Sequence, residues 1–551
     1  MKRSIMLLIA ACSTAPRVPP ARFANAPAVA AVNDRRDVPH KPRERLFLDD
    51  LYHFDGVATH RWTRAMELHP PSRSLGVNAL DEVPDSTWFT NRIGVHDMSV
   101  ADVLAGPNHL DTPEHHKPWT VKSTKTGGAE LGFVFEDARG EKFLLKFDSP
   151  GVPEQETGAH VIVQRILWAF GYNVPEDYLV HFRTDDLVLA PNAYVRDSEV
   201  DSPRRLTREE LERRLARTES DGPGSYRAIA SHWLPGKPLG GHPAEGVRAD
   251  DPNDRIAHER RRELRGLYAL AGWIDHVDMQ EGNFLDMWIT DPGDPRRHYV
   301  KHYLIDFGKS LGVMASAAND PRRSFEYWLD WAQMGRSLVS AGAYRRAWEA
   351  RRVPELRGVG LYDAHSFDPG HWRPASAGYV PLTTVDRYDA FWATKILIRF
   401  TREQLHALVL SAQYSDPRAT EYLTDTLVAR QRATAAYWFD RVNPLDRFTV
   451  EHGTVCFDDL ALRYGITSEP TAYQVTSFDR DGNQLATGRF ATGFGGHTCT
   501  GPLTFATGND RDAYTIVELK TLRDRFAGRT MVHLARDRAS GDLRVIGIWR
   551  P

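Results

Sequence analysis

At 551 residues the chain is longer than one ordinary domain and implies about two to four units. Its 70 Lys and Arg nearly balance its 73 Asp and Glu, for a net charge of −3, which removes the electrostatic case for a nucleic-acid or polyanion partner. An apolar share of 41% supports a sizeable core, and no stretch beyond the N-terminus approaches the ~20 apolar residues of a membrane span.

In chain order, the first element is an export signal. "MKRSIMLLIAAC" has a basic start, a short apolar run and small residues before Cys12, the layout of a secretory signal peptide over residues 1–12. The segment "IAAC" also resembles the bacterial lipobox. That resemblance implies cleavage before Cys12, lipidation of Cys12, and a lipid-anchored protein of the cell envelope, on the periplasmic or surface face of the outer membrane. Residues 13–40 are dominated by Ala and Pro without helical or strand period, and read as a tether. Residues 41–117 read as an N-terminal extension with Pro-rich breaks.

"GFVFEDARGEKFLLKFD" is two apolar runs around a polar turn containing Gly140, a hairpin signal. "ETGAHVIVQRILWAFG" has Ile162, Ile166 and Phe170 at helical spacing, and Gly171 stops it. "YRAIASHWLPGKPLGG" reads as a strand ending in a Gly/Pro linker. "HERRRELRGLYALAGWI" places Leu264, Leu267, Tyr268, Ala271 and Ile274 on one helical face, with its Arg-rich run as a solvated face. The loop "HVDMQEGNFLD", His276 to Asp286, follows directly. "HYVKHYLIDFG" is a strand running into Asp306-Phe307-Gly308. "YDAFWATKILIRF" and "TREQLHALVLSAQ" read as consecutive helices, with Thr401 and Gln404 as a capping box between them. From 446 onward, strand–turn–strand pairs with Asp-Gly and Ser-Gly-Asp turns indicate a small β-rich unit. Cys456 and Cys499 lie in this unit; they either pair, as an oxidising compartment permits, or sit apart and buried.

The order hairpin, helix, strand, linker, helix, loop, strand, DFG resembles the protein-kinase-like fold. His276, Asp278 and Asn283 fit the kinase pattern H-x-D-x-x-x-x-N, and the loop is also similar to the D-x-H-x-x-N loops of HipA-like kinases and aminoglycoside phosphotransferases. The resemblance implies an α+β, two-lobed protein-kinase-like fold, with an N-lobe over 118–236 and a C-lobe over 237–445, and an additional small β-rich C-terminal domain over 446–551. It implies a phosphotransferase using ATP and Mg²⁺, with an alcohol group on an unknown substrate as acceptor. Asp278 would align and deprotonate that acceptor. Asn283 and Asp306 would hold metal, and Lys146 would hold phosphates. Glu156, with Glu154 as alternative, would pair with Lys146. Gly127, Gly128 and Gly132 in "STKTGGAELGF" would belong to the phosphate-covering loop. His276 would pack beneath the DFG segment.

The chemistry accounts for the spacing. Phosphoryl transfer needs one carboxylate at the acceptor hydroxyl, oxygen ligands for Mg²⁺ from two directions, and a cation on the phosphate chain. Gln280 departs from the pattern: related loops carry Lys or His there, so Lys309 and Lys301 are the nearby cations that could substitute. No A-P-E-like segment follows DFG, which favours an atypical branch over ordinary protein kinases. Glu281 and Asp286 read as a surface charge and a strand-edge residue. Two rival readings are a catalytically inactive kinase-fold binding module at the envelope and a structural lipoprotein.

Overall fold

Successive side chains in the strands of residues 119–232 point to opposite faces and give a sheet with two different faces. In the computed structural model, which describes residues 21–45, 72–125, 131–196, 202–314, 320–327, 329–508, 513–524 and 526–551, these strands are β1 (Trp119–Thr124), β2 (Gly132–Glu136), β3 (Lys142–Phe147), β4 (Asp177–Arg183), β5 (Leu187–Val195), β6 (Arg204–Arg205) and β7 (Ser225–His232). They form one sheet in the order β4-β7-β3-β2-β1-β5-β6, antiparallel except where β1 pairs with β5. The hairpin β2–β3 turns at Gly140, whose φ of 87° a residue with a side chain adopts at a cost.

Helices cover both faces. Phe143, Leu145 and Phe147 on β3 point into a cluster with Phe135, Phe182 and Leu211, the last on helix α3 (Arg208–Leu215). The alternate residues Leu144 and Lys146 point the other way, toward helix α2 (Gln155–Phe170), which follows helix α1 (Val100–Ala105) in the chain and packs on β3, β4 and β7.

After the sheet come a short strand β8 (Lys237–Pro238), helices α4 (Arg262–Arg265) and α5 (Leu267–Ile274), and the hairpin of β9 (Phe284–Asp291) and β10 (Asp294–Leu304). Helix α6 (Trp331–Val339) is followed by α7 (Arg387–Leu397), α8 (Arg402–Leu410) and α9 (Pro417–Phe439). Thr401 and Gln404 form the capping box of α8. One core joins Ile162 and Ile166 of α2 to Leu270 and Trp273 of α5 and Leu423 and Leu427 of α9.

The chain divides into two compact units: one spans 30–78 and 82–441, the other 1–29, 79–81 and 442–551. The second is β-rich. Its strands 472–478, 484–491, 515–523, 526–536 and 543–549 form a five-stranded antiparallel sheet. Beside it is a three-stranded sheet in which Cys456 stands directly opposite Cys499, and the two form a disulfide.

Two expectations need correction. The Arg-rich run is not a solvated face. Arg261, Arg262 and Arg265 are 6%, 1% and 1% exposed. Arg265 Nε lies 2.7 Å from Asp389 Oδ2 and Arg261 Nη2 2.9 Å from Asp254 Oδ1. Asp254, seven residues upstream of Arg261, and Asp389, from a distant segment, make that burial tolerable. Residues 30–40, read as part of a tether, lie on the larger unit: Val38 is 3% exposed, and its carbonyl accepts from Trp288 Nε1 at 2.9 Å. Among the described residues, no helix is long and apolar enough to cross a membrane.

Candidate functional site

Lys146 occupies the fifth position of β3, paired with Gly132 of β2 on one side and Ile229 of β7 on the other. A Cβ on Gly132 would stand 2.6 Å from the Leu145 carbonyl oxygen, so only glycine allows β3 this close. Gly132 is thus a strand residue opposite Lys146. Gly127, Gly128 and Cys12 lie outside the described residues.

The Lys146 ammonium donates to Asp306 Oδ1 at 3.0 Å and lies 3.4 Å from His160 Nε2. His160 Nδ1 lies 3.1 Å from Asp177 Oδ2 at the start of β4. A line of polar side chains, Asp177–His160–Lys146–Asp306, therefore runs from the sheet to the DFG segment. Glu156 and His160 are four residues apart on α2 and so face the same way. Both line a cavity with Lys146, Thr157, Ile229, Asp306 and Gly308. Glu156 Oε1 accepts from the Ser149 hydroxyl at 2.6 Å and its backbone N–H at 3.2 Å. Glu154 is directed elsewhere, to Arg357 Nε at 2.7 Å and the Ser415 N–H at 2.9 Å. His160 was not singled out by sequence; its only signal was the helical spacing from Glu156.

Asp306 has a left-handed φ of 65°, costly for most residues but accessible to Asp. Burial pushes its carboxyl up, but the charges of Lys146, Lys125 and His160 outweigh this and hold it well below the usual range. Phe307 is fully buried, edge-on to His160 at 5.1 Å and to His276 at 6.4 Å. His276 also lies 3.0 Å from the Ser310 hydroxyl, and burial pushes its imidazole below the ordinary value.

The loop begins where α5 ends at Asp275, in a left-handed conformation. Val277 and Met279 are 3% and 1% exposed, while Asp278 and Gln280 between and after them are partly exposed. The apolar pair anchors an extended stretch and turns Asp278 and Gln280 outward. Asp278 Oδ2 accepts from Lys309 Nζ at 2.9 Å and Oδ1 from Gln280 Nε2 at 3.2 Å. Asn283 closes a single 3₁₀ turn (Glu281–Asn283); its side-chain N–H donates to the Asp278 carbonyl, which leaves Oδ1, the atom a metal would use, out of that bond. The Asn283 carbonyl accepts from the Ile305 N–H at 3.0 Å. Loop and DFG segment are thus joined through Asn283–Ile305 and Asp278–Lys309, in addition to His276–Ser310. Lys301, the other nearby cation, instead lies 5.2 Å from the Tyr303 ring on β10.

Glu281 and Asp286 are not the surface and strand-edge residues expected. Glu281 is 5% exposed and accepts from Arg45 Nη2 at 2.9 Å and the Ala244 N–H at 2.5 Å. Asp286 is fully buried, with Arg248 Nη2 at 2.8 Å and His302 Nδ1 at 2.7 Å.

No family model matches the sequence, and no curated protein does. Among solved structures, the chain is similar to the Golgi casein kinase crystallised with Mn/ADP bound, at 10% identity and a TM-score of 0.30, covering 66% of this chain and 77% of that one.

Proposed function

We propose that the chain is an ATP- and Mg²⁺-dependent phosphotransferase with a two-lobed, atypical kinase-like fold, acting on an alcohol group of an unknown acceptor. One observation carries the reading: the Lys146–Asp306 ion pair at 3.0 Å joins the sheet to the DFG segment, beside a loop that presents Asp278 and Asn283. The donor set fits the metal. Asn283 Oδ1 and the Asp306 carboxylate are hard oxygen ligands of the kind Mg²⁺ takes. When bound, Mg²⁺ would supply charge neutralisation at the phosphates. Lys146 would exchange its Asp306 partner for phosphate oxygens. Asp278 would take the acceptor's proton as the acceptor oxygen bonds to the γ-phosphorus and the bond to the β–γ bridging oxygen breaks. Lys309 supplies a cation where Gln280 has none.

The alternative is a kinase-fold module that binds nucleotide without turnover. Gln280 favours it, because its neutral amide is spent on Asp278. The same proposal anchors the chain at the cell envelope through lipid on Cys12. The Cys456–Cys499 bond supports an oxidising compartment, and labelling with a radioactive fatty acid, lost in Cys12→Ser, tests the anchor. For the activity, a thermal shift with ATP and Mg²⁺ is expected for the wild type and for Asp278→Ala, and is lost in Asp306→Ala. Turnover falls about 10²–10⁴-fold in Asp278→Ala. A shift without turnover in the wild type would establish the binding module; no shift at all would end both readings.

A further inference from the structure

We propose that His242, Asp286 and His302 form a buried zinc site behind the candidate catalytic loop. The site is built from residues that phosphotransfer does not use. Each offers one ligand atom, and the three atoms lie within 4.8 Å of one another. His302 Nδ1 lies 2.7 Å and His242 Nδ1 3.7 Å from Asp286 Oδ1. Two ligands about 2.0–2.1 Å from a tetrahedral zinc stand about 3.3 Å apart, so the ion would replace the hydrogen bond between His302 and Asp286, whose ligand atoms move apart to admit it.

The surroundings are arranged for a ligand. His242 is fully buried, and its Nδ1 has no hydrogen-bond partner although it faces the Asp286 carboxylate. An orphaned buried imidazole nitrogen is costly unless something occupies it. Its other nitrogen, Nε2, lies 2.8 Å from the Tyr379 hydroxyl, which sets the ring's orientation. Arg248 takes Asp286 Oδ2 through Nε at 3.0 Å and Nη2 at 2.8 Å. Oδ1 is therefore the oxygen turned to both imidazoles. Trp88 stacks on His302 at 3.4 Å and fixes its ring plane; with three protein ligands, water would take the fourth position. Two imidazoles and one carboxylate suit zinc; Mg²⁺ and Ca²⁺ require oxygen sets.

Asp286 opens the route to function. It stands three residues after Asn283, and the N–H of Asp286 donates to the Gly240 carbonyl at 2.9 Å. His242 comes from the segment whose Ala244 N–H is bound by Glu281. Zinc would tie this segment to β9 and β10 and hold the end of the Asp278–Asn283 loop in place.

The experiment is elemental analysis of the full chain, purified without a metal-affinity tag from zinc-supplemented culture and washed with chelator, with no nucleotide present. About one zinc per chain is expected, falling at least tenfold in His242→Gln. Cobalt substitution of the wild type should give tetrahedral d–d bands without a thiolate charge-transfer band. The other candidate cluster among the described residues, Cys456, His497 and Cys499, would give that thiolate band only with its disulfide reduced, so the protein is kept oxidised. Absence of stoichiometric metal, equal zinc in His242→Gln, or a thiolate band would overturn the proposal. If His242→Gln does not fold, the cobalt spectrum of the wild type decides alone. Metal content is read without nucleotide, so this proposal and phosphotransfer can fail separately.

Discussion

Asp306→Asn isolates the charge at the centre of the candidate site. Asn keeps the shape of Asp and tolerates the φ of 65°, so the substitution removes little besides the carboxylate that faces Lys146. The two side chains are 13% and 28% exposed. An exposed pair contributes about 0.2–1 kcal/mol, and breaking a fully buried one costs about 3–5 kcal/mol. A mostly buried pair lies between, so the variant should lose about 2 kcal/mol, roughly a thirtyfold change in the folding equilibrium. Urea unfolding at pH 7, followed by tryptophan fluorescence, measures it. The pH dependence adds a sign. The folded-state carboxyl of Asp306 sits below its ordinary value, so its contribution is fully present above the unfolded value of about 3.9 and is lost as pH falls through the folded value. The gap between wild type and variant should hold steady from pH 8 to 6 and narrow below about pH 4. A loss under about 0.5 kcal/mol at pH 7, or a gap that widens on acidification, would refute the ion-pair account.

Lys309→Met should lower ATP turnover about 10²-fold or more, by the loss of a fixed donor at the reacting groups, whereas Gln280→Ala should cost less than about tenfold, because Lys309 still holds Asp278. An ADP-release assay compares them; the reverse order would make Gln280 the decisive residue. Arg265→Met should destabilise the larger unit by about 3–5 kcal/mol, since it leaves Asp389 buried with less compensation, and denaturant titration reads the loss. Opening the Cys456–Cys499 bond frees a loop with a separation of 43 residues, which chain entropy values at about 4 kcal/mol. Reduction and Cys456→Ser should therefore lower the stability of the β-rich unit by similar amounts, and unequal effects would show that the serine disturbs packing.

Local pattern made much of the fold legible. The turn at Gly140, the 3.6-residue period through Ile162 and Ile166, and the Thr401/Gln404 box each report on neighbours a few residues away, and each element forms where its residues ask for it. The candidate loop was legible for the same reason: Asp278 and Asn283 are five positions apart on one short turn. Partnerships across the chain were not. His160 meets Lys146 only because α2 packs across β3. "HERRRELR" has the composition of a wet surface, and nothing in its own sequence announces that Asp389 will meet it in the core.

The sequence by itself determined the periodic elements, the spacing of Asp278, Asn283 and Asp306 along the chain, and the near-neutral charge. Tertiary structure alone decided that Lys309, not Lys301, would stand at Asp278, that Asp286 would be buried between two histidines, and that Cys456 would face Cys499. The physical reason is range. Propensity, capping and turn chemistry act over a few residues and are written locally. The burial and pairing of charges depend on which distant segments the packed core brings within a few ångströms, where desolvation makes every unpartnered polar atom costly.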